Sequence, residues 1–220
     1  MKLVIFDVDG TLVDSQHFIV EAQHRAFAAQ GLPAPTRERM LSIVGLSLVQ
    51  AFVELVGPDG PAEALAQSYR EAWQTMRLDP AFADPLYPGA ADAIATLAAR
   101  PDLMLGVATG KSRRGVAHLF HEQGWETTFA TVQTADDHPS KPDPSMILAA
   151  LEETGVAARD ALMIGDTSYD MAMARDAGVR SIGVAWGYHA REQLAAHGAG
   201  RIVETYPELM AVLASDACWC

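Results

Sequence analysis

From residue 89 onward the chain alternates between short apolar runs and amphipathic stretches, and this alternation limits the fold more than any other feature. The runs at Leu103–Ala108, Phe129–Val132, Ala161–Ile164 and Arg180–Ala185 read as strands. Between and around them the spacing predicts helices over 89–100, Ser112–Gln123, about Asp143–Thr154 and Ser168–Ala177. A short helix near 190–197, a weak strand at 201–203 and a last helix near 206–214 complete the series. Strands joined by helices of this length form a parallel sheet covered on both faces. The apolar run at residues 3–8 belongs to the same sheet. The expected fold class is α/β, a Rossmann-like parallel core with helices on both faces.

One long insertion interrupts the pattern. Ser15 to Gln30 carries Phe18, Ile19, Ala22, Ala26 and Phe27 on one helical face, and Gly31 is placed to end it. Thr36 opens another helix. Gly45 breaks it, and Ser47 caps a third helix through Val56. "GPDGP" at 57–61 is a loop, and Ala62 to Leu78 is helical again. The expected organisation is a core of residues 1–14 and 83–220, with an all-helical insert over residues 15–82.

The chain has 220 residues and a formal net charge of −12. Such acidity argues against nucleic acid, which demands clustered Lys and Arg. An anionic substrate would need a local cation to reverse the field at its site. Charged residues or Pro break every apolar run before it can span a bilayer, and Met1 and Lys2 lead straight into a strand without a signal sequence. The only cysteines, Cys218 and Cys220, stand at the extreme C-terminus and cannot staple a core. These features predict a cytoplasmic protein. The oligomeric state is not legible here.

In open α/β sheets, ligands bind beyond the carboxyl ends of the strands. The first strand ends in "DVDGT", residues 7–11, and the second in "ATGKS", residues 108–112. "SKPDP" at 140–144 follows the third, and "GDTSYD" at 165–170 ends the fourth. One sheet edge therefore collects Asp7, Asp9, Asp166, Asp170, Lys111 and Lys141. Asp7 and Asp9, spaced i, i+2 on an extended chain, point the same way, which is costly unless a cation or a proton sits between them; the alternative is a strand that runs out into a polar turn at Gly10. Asp7, Asp9 and Asp166 around one point make an oxygen-donor site that suits Mg²⁺. Thr109 and the N–H groups after it, beginning with Gly110, open a helix and suit an anion, and Lys141 adds positive charge. Cation, lysine and helix terminus are the parts phosphoryl transfer requires.

These four motifs, in this order, resemble the haloacid dehalogenase superfamily, and the helical insert resembles that superfamily's C1 cap. The resemblance implies that Asp7 is a nucleophile forming an aspartyl-phosphate, and that Asp9 protonates the leaving group and then activates water. It implies that Thr109, Gly110 and Lys141 hold the transferring phosphoryl. Mg²⁺ would sit on Asp7, the Asp9 carbonyl and Asp166, with Asp170 in support. The alternative for Asp170 is a helix N-terminal carboxylate favoured by the dipole.

An acid at Asp9 suits a phosphate ester, whose alkoxide needs a proton. "DGTLVDS" and "VAWGY" (184–188) are similar to the phosphoglycolate phosphatase branch. The expected partner is a small phosphorylated metabolite. A pyrophosphatase, a sugar phosphomutase and a non-catalytic binding module are the competing readings. The turn "IVGLS" is a candidate substrate-facing element. Val44 and Leu48 stand where the related β-phosphoglucomutase cap carries basic residues, which predicts compact monophosphates over bisphosphorylated sugars. His118 and His121 lack a third ligand and read as a solvated face; Arg37, Arg39, Arg70 and Arg77 on the insert could meet an anion, though most such residues are solvated.

Overall fold

A computed structural model of the chain describes residues 1–79 and 85–215. The core elements are β1 (Lys2–Phe6), α5 (Ala90–Ala98), β2 (Leu103–Thr109), α6 (Arg113–Gln123), β3 (Thr131–Thr134), α7 (Ser145–Thr154), β4 (Ala161–Gly165), α8 (Ser168–Asp176), β5 (Arg180–Val184), α9 (Arg191–Ala196), β6 (Arg201–Val203) and α10 (Tyr206–Ala214). The intervening block holds α1 (Gln16–Ala29), α2 (Arg37–Leu41), α3 (Leu48–Val56) and α4 (Ala62–Met76). Among the described residues the strands form one sheet in the order β3-β2-β1-β4-β5-β6, every neighbouring pair parallel. The order reverses at β1, so a crevice opens beyond its carboxyl end.

Strand alternation builds the two layers of the core. Val4 and Phe6 face one layer with Val107, Ile164 and Ile94; Leu3 and Ile5 face the other with Met146, Met163 and Met173. Phe6 is fully buried, a burial of the kind that contributes roughly 1.5–3 kcal/mol for one side chain. The helical block packs around its own apolar clusters. Ala26, Phe27, Phe52 and Leu65 form one, and Phe18, Ala22 and Met76 another.

Several expectations shift: β1 runs over Lys2–Phe6 rather than 3–8, and Ser47 stands at the N-terminus of α3 without a side-chain cap bond. β3 runs over Thr131–Thr134 rather than 129–132. Phe129 is held by aromatic packing instead of by the strand ladder, stacked on Phe120 at 4.8 Å and edge-on to Trp125. The helix after Thr36 ends at Leu41. Thr36 does cap it, its Oγ1 accepting from Arg39 N. The boundary at 82/83 and both cysteines lie outside the described residues. No helix among the described residues is long and apolar enough to cross a membrane.

Candidate active site

β1 stops at Phe6, and Asp7 continues its pairing by one bond, its N–H donating to Ile164 O at 2.9 Å. The chain then turns at Val8, whose carbonyl accepts from Thr11, Leu12 and Val13 N–H. Two aromatic donors fix this loop from outside: Trp186 Nε1 and Tyr206 Oη both donate to Thr11 O, at 3.1 and 2.8 Å. Gly10 is required here. Its φ is +87°, and a Cβ would stand 2.2 Å from Asp166 Oδ2.

The loop brings Asp7 against residues from three other segments. Lys141 Nζ lies 3.0 Å from Asp7 Oδ1 and 2.6 Å from Asp170 Oδ1, and all three side chains are buried. Asp7, Asp166 and Asp170 each offer an oxygen within 4.8 Å of the others. Asp166 is held by Thr11 Oγ1, which donates to Oδ1 at 2.9 Å, and by Tyr188 N–H, which donates to Oδ2 at 2.9 Å. Asp170 is the N3 residue of a capping box: its Oδ2 accepts from Thr167 N, and Thr167 Oγ1 accepts from Asp170 N. Asp170 thus caps α8 and pairs with Lys141 at once.

Three buried carboxylates face one ammonium, and the electrostatics follow. Burial pushes Asp7 up to about 6, against the lowering pull of Lys141. Burial, with the charges of Asp7 and Asp170 beside it, lifts Asp166 well above the usual carboxylate range. Burial disfavours the Lys141 charge, but Asp170 and Asp7 outweigh it and hold the ammonium above its ordinary value. Asp7 Oδ1 has the Lys141 ammonium as its one partner, and Oδ2 has none. A carboxylate with one free oxygen beside two more, three negative charges against a single ammonium, is a donor set that fits a divalent cation with oxygen preference.

Asp9 has different surroundings. Its Oδ1 accepts from Lys111 Nζ at 2.8 Å and from Ser15 Oγ at 2.7 Å, and Ser15 Oγ also meets Tyr188 Oη at 3.1 Å. The two acids therefore share a crevice but not a partner set. Thr109, at the end of β2, is buried, and its Oγ1 accepts from Lys111 N. Gly110 follows, close beneath the helical block: a Cβ there would stand 2.5 Å from Gly45 O. Ser112 caps α6.

The structure thus brings together the expected Asp7, Thr109, Gly110, Lys141, Asp166 and Asp170, with Asp9 facing the same crevice. Sequence reasoning left Lys111 without a role and missed Ser15, Tyr188, Gln23 and His189. Tyr188 had a signal, since it follows β5 at the same sheet edge. Arg70 and Arg77, expected in solvent, line a cavity with Asp7 and Asp9. His118 and His121 stand on an exposed face, as expected, beside Glu122 and Glu126.

The block is tied to the core above this crevice. Tyr169 Oη and His189 Nε2 both donate to Ser42 O at 3.1 Å, and Ser47 N donates to Ser140 Oγ at 2.8 Å.

Residues 4–184 match the model of the haloacid dehalogenase-like hydrolases. The chain belongs to that family. Within it, the chain is similar to proteins named as phosphatases. It is 35% identical over 213 residues to "Probable phosphatase IndB" of Dickeya dadantii, covering 94% of this chain and 91% of that one. It is 34% identical to a phosphoglycolate phosphatase of Rhodospirillum rubrum, covering 94% and 89%. Among solved structures, a hydrolase from Pseudomonas syringae superimposes with a TM-score of 0.84 at 27% identity, covering 97% and 98%.

Proposed function

We propose that the chain is a Mg²⁺-dependent phosphatase that hydrolyses a small phosphate monoester, phosphoglycolate-like in carrying a single phosphate, through an aspartyl-phosphate on Asp7. The observation that carries this reading is the buried Asp7 carboxylate, which lines the crevice, pairs with Lys141 through Oδ1 and leaves Oδ2 without a partner. The similarity to a phosphoglycolate phosphatase supports the substrate class.

An Asp7 oxygen attacks phosphorus, and the bond from phosphorus to the substrate oxygen breaks. Asp9 gives its proton to the departing alkoxide. The Asp9 carboxylate then takes a proton from a water that attacks the same phosphorus, which frees inorganic phosphate and restores Asp7. Lys111 and Ser15 hold the Asp9 carboxylate in place for both transfers. Thr109, the Gly110 N–H and Lys141 receive the oxygens of the transferring group. Mg²⁺, when held by Asp7, the Asp9 carbonyl and Asp166 with Asp170 in support, would neutralise charge on that group. The helical block, residues 15–82, acts as a cap that excludes water, moving about hinges near Val13–Ser15 and Ala83–Pro88. Residues 83 and 84 of the second hinge fall outside the described residues.

The test is phosphate release from a panel of phosphorylated metabolites, with Mg²⁺ and after EDTA. The expected result is turnover of monoesters that chelation stops. A panel left wholly intact in Mg²⁺ would refute the reading.

A further inference from the structure

A cavity of about 520 Å³ runs from Asp7 and Thr109 into the helical cap. That lies within the ~300–1,000 Å³ of pockets that bury drug-sized ligands. A two-carbon phosphate ester would fill only its catalytic end. The cap contributes an apolar face, built by Ile43, Val44, Leu46, Phe52, Tyr69 and Trp73, with Arg70 and Gln74 of α4 and its C-cap Arg77 lining the cavity beside it. Tyr69 and Trp73 stack on each other with centroids 5.9 Å apart. The Lys111 ammonium, already bound to Asp9, lies 4.9 Å from the centre of the Trp73 ring. One lysine therefore links the proton-transfer group to the aromatic wall.

Gln23, on α1, lines the same cavity and is only 2% exposed. Its Nε2 donates to Met40 O at 3.2 Å, which fixes the orientation of the amide. Its Oε1 is buried with no hydrogen-bond partner. A buried acceptor left unpaired is costly, and a ligand N–H or O–H removes that cost. Asp7 Oδ2 and Gln23 Oε1 are thus unpaired buried oxygens on residues that line one cavity, the first from the core and the second from the cap.

Resting on the phosphatase reading, we propose that the substrate is the phosphate monoester of a ring-bearing alcohol, a sugar or a nucleoside. Its ring packs on the apolar cap wall, and an N–H or O–H on it donates to Gln23 Oε1. Gln23 and Trp73 are then the residues that set specificity. The apolar wall rewards burial of a ring face, and the amide oxygen rejects bodies that leave it unpaired.

The test measures kcat/KM in Mg²⁺ for glucose 6-phosphate, uridine 5′-monophosphate and phosphoglycolate. The first two arms separate a sugar from a nucleoside. The better ring-bearing ester should exceed phosphoglycolate by about tenfold or more. Gln23→Met, which keeps the length and removes the acceptor, should lower kcat/KM for that ester roughly tenfold more than for phosphoglycolate. Trp73→Ala should erode the same ratio with the Gln23 amide intact, and so covers a Gln23→Met protein that fails to fold. Phosphoglycolate as the best substrate, or variants that slow every ester by one common factor, would overturn the proposal and leave the phosphatase reading standing. A whole panel of monoesters left intact in Mg²⁺, these three included, would remove that reading and the proposal with it.

Discussion

Lys111 Nζ stands 2.8 Å from Asp9 Oδ1, so a residue just before α6 holds a carboxylate from the loop after β1, 102 positions away in sequence. Both side chains are nearly buried. A charge-assisted bond in such a setting positions the acid more firmly than an exposed pair could. Lys111→Met should therefore lower kcat by about tenfold to a hundredfold, the scale of a hydrogen bond to a charged group. KM should change little, and Lys111→Arg should recover part of the loss. A variant in which only KM moves would show that Lys111 serves binding and not the placement of Asp9.

Asp166 and Asp170 are both buried acids of the "GDTSYD" segment, but their oxygens are spent differently. Asp170 gives Oδ1 to Lys141 and Oδ2 to Thr167, whereas Asp166 accepts a single bond at each oxygen. Asp166→Ala should weaken Mg²⁺ binding more than Asp170→Ala, as titration calorimetry would record. Mg²⁺ should also raise the thermal midpoint of the unmodified chain, because the unfolded chain lacks the site. Equal affinities in the two variants would overturn the ranking.

Asp170→Ala should still be the more damaging to the fold. It leaves the buried Lys141 with Asp7 alone and removes the N3 partner of the α8 cap. Breaking a buried ion pair costs about 3–5 kcal/mol. Urea unfolding should find Asp170→Ala less stable than Asp166→Ala by a margin of that order. Identical midpoints would mean that Lys141 finds compensation elsewhere.

His189 links stability to pH. Its Nδ1 accepts from Ser168 N and its Nε2 donates to Ser42 O, so the ring is neutral. Burial holds its pKa below the ordinary 6.5, although the Ser42 carbonyl and the Asp170 charge pull the other way; the His197 charge adds to the lowering, and Tyr169 packs edge-on. A base with a lowered folded pKa binds fewer protons folded than unfolded. Its contribution is therefore full above 6.5 and declines as pH falls from there to the lower folded value. His189→Gln should flatten the thermal midpoint between pH 7.5 and 5.5, whereas the parent chain should lose stability on the acid side. Parallel pH curves for the two proteins would count against this role.

Much of the fold was legible because buried parallel strands leave continuous apolar runs, as in "LVIF" and "ALMI". Phe129 misled for a physical reason: an apolar residue before a strand reads as part of it, yet its ring is claimed by Phe120 and Trp125. Asp7 and Asp166 were legible because each stands just past a strand at one sheet edge, and Lys141 because it lies in the connection between β3 and α7. The ties from Lys111 to Asp9, from Tyr188 to Ser15 and from His189 to Ser42 span 102, 173 and 147 positions. No local periodicity encodes contacts of that range. Gln23 gave no signal, since one polar residue on an amphipathic helix looks solvated until its burial is known.

The central claim is that Asp7 is the nucleophile. Turnover of a phosphate monoester by Asp7→Asn and Asp7→Ala tests it most directly, with thermal unfolding as the check on folding. Uncatalysed phosphate-monoester hydrolysis is so slow that enzymes approach accelerations of ~10²¹, and loss of the nucleophile should forfeit most of the gain. The expected result is folded protein with phosphate release at the background of a mock preparation. Release above that background by a verified, folded Asp7→Ala protein would contradict the account.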